Sequence, residues 1–163
     1  MKAVSIKELR TELNHRSPNE IMDLCLRLSR FKKENKELLT YLLFEAGDEL
    51  GYIDSVKEQM DEKFESIEIG GNYITRKKIR SILTFTKKYC RYSLKKETEV
   101  ELILHFCKKL KEKVPLMRSN KRLFNLYHGQ LDFVRKRVRV LHEDLQYDFG
   151  LAVNELEQKP NRD

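Results

Sequence analysis

Apolar side chains recur at steps of three and four residues through most of this chain, which is the spacing of one helix face. Two stretches carry the pattern furthest, residues 34–67 and residues 119–156. In the first the repeating positions are Leu39, Leu42, Ala46, Leu50, Ile53, Val56, Met60, Phe64 and Ile67. In the second they are Leu123, Tyr127, Leu131, Val134, Val138, Leu141, Leu145, Phe149, Ala152 and Leu156. No alternating β-branched run and no Asn-Gly or Asp-Gly hairpin dipeptide competes, so the sequence predicts an all-α fold.

Each of these two stretches is expected to form one long helix. Gly47 and Gly51 each cost about 1 kcal/mol relative to Ala inside a helix, so the first helix is expected to kink near them. The Gly-Gly-Asn run at residues 70–72 is expected to end it. The second helix would hold about 38 residues and reach about 57 Å.

Two short helices are predicted before residue 31. Ser5 and Glu8 have the spacing of a capping box, in which the serine oxygen accepts from the third helical amide and the glutamate reaches back. Ser17 and Glu20 repeat the arrangement, and Pro18 suits the first position of a helix. These starts predict a pair of N-terminal helices.

Two helices of medium length are predicted between the long ones. One covers residues 73–92, and a capping box at Thr98 and Glu101 predicts that the other runs to about Lys113. Val114-Pro115 is expected to stop it. The predicted architecture is a single all-helical domain, residues 1–163, with an N-terminal helix pair at 1–30, a main bundle at 31–159 and a tail at 160–163. The bundle would contain one long helix, two medium helices and a long C-terminal helix.

Charge is strongly segregated along the sequence. The chain has a net charge of +7, yet residues 71–140 hold 20 Lys and Arg side chains against five Asp and Glu. Residues 76–96 contain nine Lys or Arg and no acid. Seven of these are candidate polyanion-binding residues: Arg76, Lys77, Arg80, Lys87, Lys88, Arg91 and Lys95.

Three interpretations of this basic helix remain open from sequence. It binds a polyanion such as nucleic acid, with Phe85, Tyr89 and Tyr92 available to stack on bases. It docks onto the acidic helices of its own chain. It is an ordinary solvated face.

A second apolar line follows the C-terminal stretch on nearly the opposite side from the first. Its members are Phe133, Val140, Tyr147 and Leu151. A helix that is apolar on two sides is either sandwiched between layers or shared with another chain. These four residues are therefore the candidate oligomer interface.

The sequence lacks the patterns of common catalytic and metal sites. There is no phosphate-binding glycine loop and no Gly-x-Ser-x-Gly, and Glu12 to His15 is the single Glu-x-x-His. His142 is expected to make an interhelical hydrogen bond rather than to act as a catalyst. We therefore expect no enzymatic activity, no cofactor and no metal ion.

Three cysteines without a Cys-x-x-Cys pair indicate reduced thiols, typical of the cytoplasm. No run of about 18 apolar residues predicts a membrane span, and the N-terminus MKAVSIKELRTEL has no apolar segment of signal-peptide type. A cytoplasmic location with no membrane partner is expected.

Three stretches together resemble a known family: SIKELRTELNHRSPNEIMDLCLRLSRFKKENKELLTYLLF, KYCRYSLKKETEVELILHFCKKL and LHEDLQYDFG. They are similar to an uncharacterised family of small bacterial proteins that are predicted to be helical throughout. The resemblance covers most of the chain and implies an all-helical fold. It implies no activity and no site residues.

The expected function is that of a non-enzymatic interaction module that binds an acidic protein partner or self-associates. The alternative is a nucleic-acid-binding protein that uses the basic face of residues 76–96.

Overall fold

The computed structural model describes residues 2–68, 72–114 and 120–158, and within these ranges it contains eight α-helices and no strand. The predicted all-α fold is confirmed. The helices are α1 Ile6–Asn14, α2 Pro18–Phe31, α3 Lys33–Thr40, α4 Glu49–Glu65, α5 Asn72–Ser93, α6 Lys96–Lys113, α7 Lys121–Val138 and α8 Glu143–Glu157. Predicted features at residues 70–71, at Pro115, at Ser119 and in the tail 160–163 lie outside the described residues.

The chain divides into two compact units, Met1–Phe44 and Glu45–Asp163, whereas the sequence predicts a single domain with an internal boundary at residue 30. The first unit contains α1, α2 and α3. Both of its predicted capping boxes are confirmed. Ser5 accepts from the Glu8 amide at 3.3 Å while the Glu8 carboxylate accepts from the Ser5 amide at 2.8 Å, and Ser17 and Glu20 repeat these distances.

The predicted long helix over residues 34–67 is wrong, because the chain breaks near the glycines where a kink was expected. After α3 the backbone forms one π-helical turn, Tyr41–Glu45, and then leaves the helix. Asp48 starts α4 by accepting a hydrogen bond from the Gly51 amide at 3.1 Å. A side-chain cap thus begins a new helix where the apolar period alone predicts continuity.

The second unit is built around α6, which packs against α4, α5, α7 and α8. Eight of its eighteen side chains are buried, as expected of a helix that packs against four others. The buried residues of α6 are Thr98, Val100, Leu102, Ile103, Leu104, Phe106, Cys107 and Leu110. The predicted capping box at Thr98 is wrong: α6 begins at Lys96 after Lys95, and the buried Thr98 hydroxyl donates instead to Glu49 at 2.6 Å.

The predicted 38-residue C-terminal helix is also wrong. The chain turns at residues 139–142 between α7 and α8, and both helices pack on α6 as well as on each other. His142 is the N-cap of α8, and its Nδ1 accepts from the Asp144 amide at 3.4 Å. The hydrogen bond expected of His142 is therefore local rather than interhelical.

Two grooves border α6 in this arrangement. α4 packs beside α5 and α7 packs beside α8, while α5 and α7 share no extensive interface, nor do α4 and α8. Arg80 and Arg122 line one cavity near the N-terminal ends of α5 and α7. Lys87 lies over the Phe133 ring further along both helices, so α5 and α7 run in the same direction.

Candidate functional site

The apolar side of α5 is buried as its period predicts, and this fixes which of its basic side chains face outward. Lys77, Arg80, Lys87 and Arg91 are all exposed. They recur at steps of three, seven and four residues, so they follow one side of the helix. At 1.5 Å per residue this basic row extends about 21 Å.

The basic row has no acidic partner within the described part of the chain. No carboxylate there lies within the 4.0 Å of an ion pair from any of its four charges. Among the acids of α4, Asp61 instead contacts His105 at 2.6 Å and Lys109 at 2.8 Å on α6. Docking onto the chain's own acidic helices therefore does not account for the row.

Two other candidate residues, Lys88 and Lys95, do not belong to the basic row. Lys95 pairs with Glu49 Oε2 at 3.0 Å, so it is tied into the protein. Lys88 is half-buried, with its Nζ 4.8 Å from the centre of the Tyr89 ring. These two cations stabilise the helix bundle and do not extend the row.

The aromatic side of α5 is packed rather than open. The Phe85 and Tyr89 rings lie 4.6 Å apart, and the Tyr89 and Tyr92 rings lie 5.4 Å apart. Lys63 Nζ lies 4.7 Å from the centre of the Phe85 ring. The three rings contact one another and nearby cations, so little of their faces is free to stack on bases.

A cavity of about 200 Å³ lies at one end of the basic row. Its described lining is Tyr73, Arg76, Lys77, Arg80 and Arg122, without an acidic residue. We call it the basic cavity. Arg122 comes from α7, 42 positions beyond Arg80, and sequence reasoning missed it because only the packing of both helices on α6 brings these positions together.

Helix termini add to the positive potential of the basic cavity. An acid occupies the first turn of α1, α2, α3, α4, α6 and α8. The first turns of α5 and α7 have none, and these are the helices that supply the cavity. The N-terminus of a helix carries about half a positive charge, so cations there destabilise the helix unless an anion binds. The missing acids are the sequence signal that points to Arg122.

The predicted oligomer interface is divided by the turn between α7 and α8. Phe133 is half-buried, and the Arg137 guanidinium lies 5.1 Å from its ring centre. Val140 lies in the turn and is 57% exposed. Tyr147 and Leu151, four residues apart on α8, are 69% and 53% exposed. Val140, Tyr147 and Leu151 are therefore exposed, whereas Phe133 is not.

The groove between α4 and α8 has a cavity of about 480 Å³, and several of its charged side chains bind neighbouring helices. Lys57 meets Glu101 at 2.6 Å. Lys111 donates to the carbonyls of Glu155, Leu156 and Gln158 near the end of α8, at 3.0–3.2 Å. These contacts cross between helices, which identifies them as structural ties.

Other catalytic candidates are weak. Burial raises the pKa of the Cys90 and Cys107 thiols to about 12, so neither is a nucleophile near neutral pH. The described residues contain no group of three or more His, Cys, Asp or Glu side chains arranged to hold a metal ion. None of the described helices is both long enough and apolar enough to cross a membrane.

Comparison with known proteins finds no relative. No protein-family model matches the chain, and neither a curated protein nor a solved structure is significantly similar to it. The resemblance to a family of small helical bacterial proteins therefore stays a prediction.

Proposed function

We propose that this protein binds nucleic acid through the phosphate backbone, using the basic row of α5 and the basic cavity at its end. One observation carries the proposal. Arg76, Lys77, Arg80 and Arg122 converge on one cavity at the N-termini of two helices, with no acid among the described residues that line it. Such a concentration of unpaired positive charge favours phosphate.

The surface chemistry favours nucleic acid over the acidic protein partner that is expected from the sequence. Protein interfaces are depleted in Lys and depend on buried aromatic or aliphatic anchors. Exposed apolar residues of α5 are confined to its start, at Tyr73 and Ile74, and the exposed positions from Lys77 to Arg91 include none. These positions are Lys77, Lys78, Arg80, Ser81, Thr84, Lys87 and Arg91.

The expected binding mode is electrostatic and insensitive to base sequence. A row of about 21 Å matches about six phosphates of one strand along a duplex axis. Guanidinium groups can contact phosphate oxygens in pairs, and Lys87 adds a point charge between Arg80 and Arg91. Because the neighbouring rings are packed, the protein contacts the backbone and does not read or stack on the bases. No catalytic step is proposed.

A cytoplasmic location is part of the proposal. Cys25, Cys90 and Cys107 are free thiols, which supports a reducing compartment.

The test is a salt titration of binding to a 20-base-pair duplex, followed by fluorescence anisotropy. Each phosphate neutralised contributes about −0.9 to the slope of log affinity against log salt. Replacing Arg80, Lys87 and Arg91 with Ala is expected to reduce the slope by about 2 to 3. The matched control is K2A/K7A/K36A, which removes three exposed charges elsewhere in the chain.

An unchanged slope in R80A/K87A/R91A would exclude the basic row as the binding surface, and so would an equal loss in K2A/K7A/K36A. Polyglutamate of matched charge is the competitor that represents an acidic protein. If it displaces the duplex as well as unlabelled DNA does, the acidic-protein hypothesis replaces the nucleic-acid one.

A further inference from the structure

The basic cavity concentrates positive charge, whereas the rest of the basic row spreads it out. Arg76, Lys77, Arg80 and Arg122 line one space of about 200 Å³. The next cation of the row, Lys87, stands seven residues beyond Arg80, about 10 Å further along α5. One end of the row thus offers several charges to a single group, while the remainder offers isolated charges.

We propose that the basic cavity binds the terminal phosphate monoester of a nucleic-acid strand, while the basic row binds phosphates further along the same molecule. A phosphate inside a strand is a diester with one negative charge. A monoester at the end of a strand carries about 1.5 to 2 negative charges near pH 7 and presents three terminal oxygens. The inference rests on the proposed function and names the part of the nucleic acid that the cavity recognises.

The charge of the cavity matches a monoester better than a diester. In the part of the chain that the structure describes, no carboxylate pairs with any of its four cations. The N-termini of α5 and α7 add about half a positive charge each, without an acid in either first turn. A singly charged diester would leave most of this charge uncompensated, whereas a doubly charged group with three acceptor oxygens can be held by several guanidinium groups at once.

The size and position of the cavity suit the end of a strand. Its volume of about 200 Å³ is below the roughly 300 to 1,000 Å³ of pockets that enclose whole small-molecule ligands. It therefore accommodates a phosphate group and leaves the attached nucleoside outside. Arg80 belongs to both the cavity and the basic row, so a strand whose end lies in the cavity continues along Lys87 and Arg91.

Tyr73 gives the cavity a second feature that fits the end of a strand. It lines the cavity and is 70% exposed, unlike the packed rings of Phe85 and Tyr89. The last base of a strand has one face that no neighbouring base covers, and an aromatic ring can stack on such a face. Stacking is thus excluded along the basic row, where the rings are packed, and is available at its end.

DNA hairpins with a single open end test the inference. Each has 20 base pairs and a fluorophore in its loop, and the open end carries a 5′-phosphate, a 3′-phosphate or hydroxyl groups alone. By fluorescence anisotropy, at least one phosphorylated hairpin should bind about tenfold more tightly than the hydroxyl form, because its end makes charge-assisted hydrogen bonds. The hairpin that gains affinity identifies which end the cavity binds.

The three hairpins separate a failure of this inference from a failure of the proposed function. Equal affinities for all three overturn the terminal-phosphate inference but leave backbone binding intact. Absence of binding to every hairpin refutes both. A phosphate capped as its methyl ester adds the same group with one charge, and a preference as large as that for the monoester would also overturn the inference.

Arg122→Ala and Arg91→Ala form a matched pair, since both residues are exposed and only Arg122 of the two lines the cavity. R122A should reduce the preference for the phosphorylated end from about tenfold to below about threefold, because the end loses a charged donor. R91A should weaken binding to every hairpin by a similar factor and keep the preference. A preference that survives in R122A, or that disappears in R91A, shows that the cavity is not the site.

Tyr73→Ala tests the stacking contact against a dumbbell of the same sequence, which a loop closes at both ends. Y73A should weaken binding to the open hairpin at least about fivefold more than binding to the dumbbell, since the dumbbell has no uncovered base face. Equal losses for the two molecules would refute a contact of Tyr73 with the end of the strand.

Discussion

The Thr98 hydroxyl donates a hydrogen bond to Glu49 Oε1 across 2.6 Å, joining the start of α6 to the start of α4. The Ser93 hydroxyl at the end of α5 donates to the same oxygen, and Lys95 pairs with Oε2 at 3.0 Å. The Glu49 side chain is only 15% exposed. One carboxylate therefore fixes the turn between α5 and α6 against α4.

Replacing Glu49 with Gln is expected to lower the free energy of unfolding by about 1 to 3 kcal/mol. The amide keeps one oxygen acceptor but loses the charge that holds Lys95 and places an N–H group among hydroxyl donors. Urea denaturation measures the change. Glu58→Gln, at an exposed position of the same helix, is the control, and equal effects of both substitutions would contradict the role given to Glu49.

The fold class follows from the sequence, but the two long helices do not, and the reason is geometric. The turn at residues 139–142 uses four residues, close to the 3.6 of one helical turn. Val138, Leu141 and Leu145 therefore keep helical spacing across a break in the helix. A repeat of apolar residues indicates which residues are buried. It does not reveal a turn whose length is close to one turn of helix, because the apolar spacing then continues across the break.

Local caps were predictable only where they are exposed. Ser5 and Ser17 act as caps because nothing else competes for their hydroxyl groups. Thr98 has the same sequence context, yet its hydroxyl donates to the Glu49 carboxylate on α4, which is largely shielded from solvent. The candidate site likewise has one part that the sequence predicts and one part that it does not. The basic row is visible in the period of α5, whereas Arg122 reaches the basic cavity only through tertiary packing.

Leu94 adopts a left-handed backbone conformation, with φ of 58°, which side chains with a Cβ adopt at a cost. Its side chain is 83% exposed, so little packing is lost when it is removed. Leu94→Gly is expected to raise the free energy of unfolding by about 0.5 to 1 kcal/mol. Leu94→Ala retains the strain and should change stability little. If thermal denaturation ranks the alanine variant above the glycine variant, the strain is not significant.

Asp61 should make part of the free energy of unfolding depend on pH in the acidic range. Burial acts to raise the pKa of its carboxyl, but hydrogen bonds from Lys109 and His105 outweigh burial and hold the pKa below the usual 3.8. The depressed pKa means that its contribution is present above the unfolded pKa and is lost as pH falls through the folded one.

The free energy of unfolding of D61N should therefore fall below that of the wild type near neutral pH, with the gap closing as pH falls below the usual carboxyl pKa of 3.8 and through the lower folded-state pKa. Urea denaturation across that range gives both curves. Glu58→Gln is again the control, since Glu58 is exposed and has no ion-pair partner in the described part of the chain. A gap that stays constant with pH would show that Asp61 acts through packing rather than charge.

Substitution of Arg122 distinguishes a role in binding from a role in stability. The two roles predict opposite changes in the free energy of unfolding. It stands in the first turn of α7 beside Arg76 and Arg80, where a cation opposes the helix dipole. Arg122→Glu should raise the free energy of unfolding of the unliganded protein by about 0.5 to 2 kcal/mol, since it places an acid at this terminus among cations. The same substitution should weaken duplex binding at least tenfold.

Arg139→Glu, an exposed position after the end of α7, is the control for charge reversal. A loss of stability in R122E would show that Arg122 serves the fold, and unchanged affinity would remove it from the binding surface.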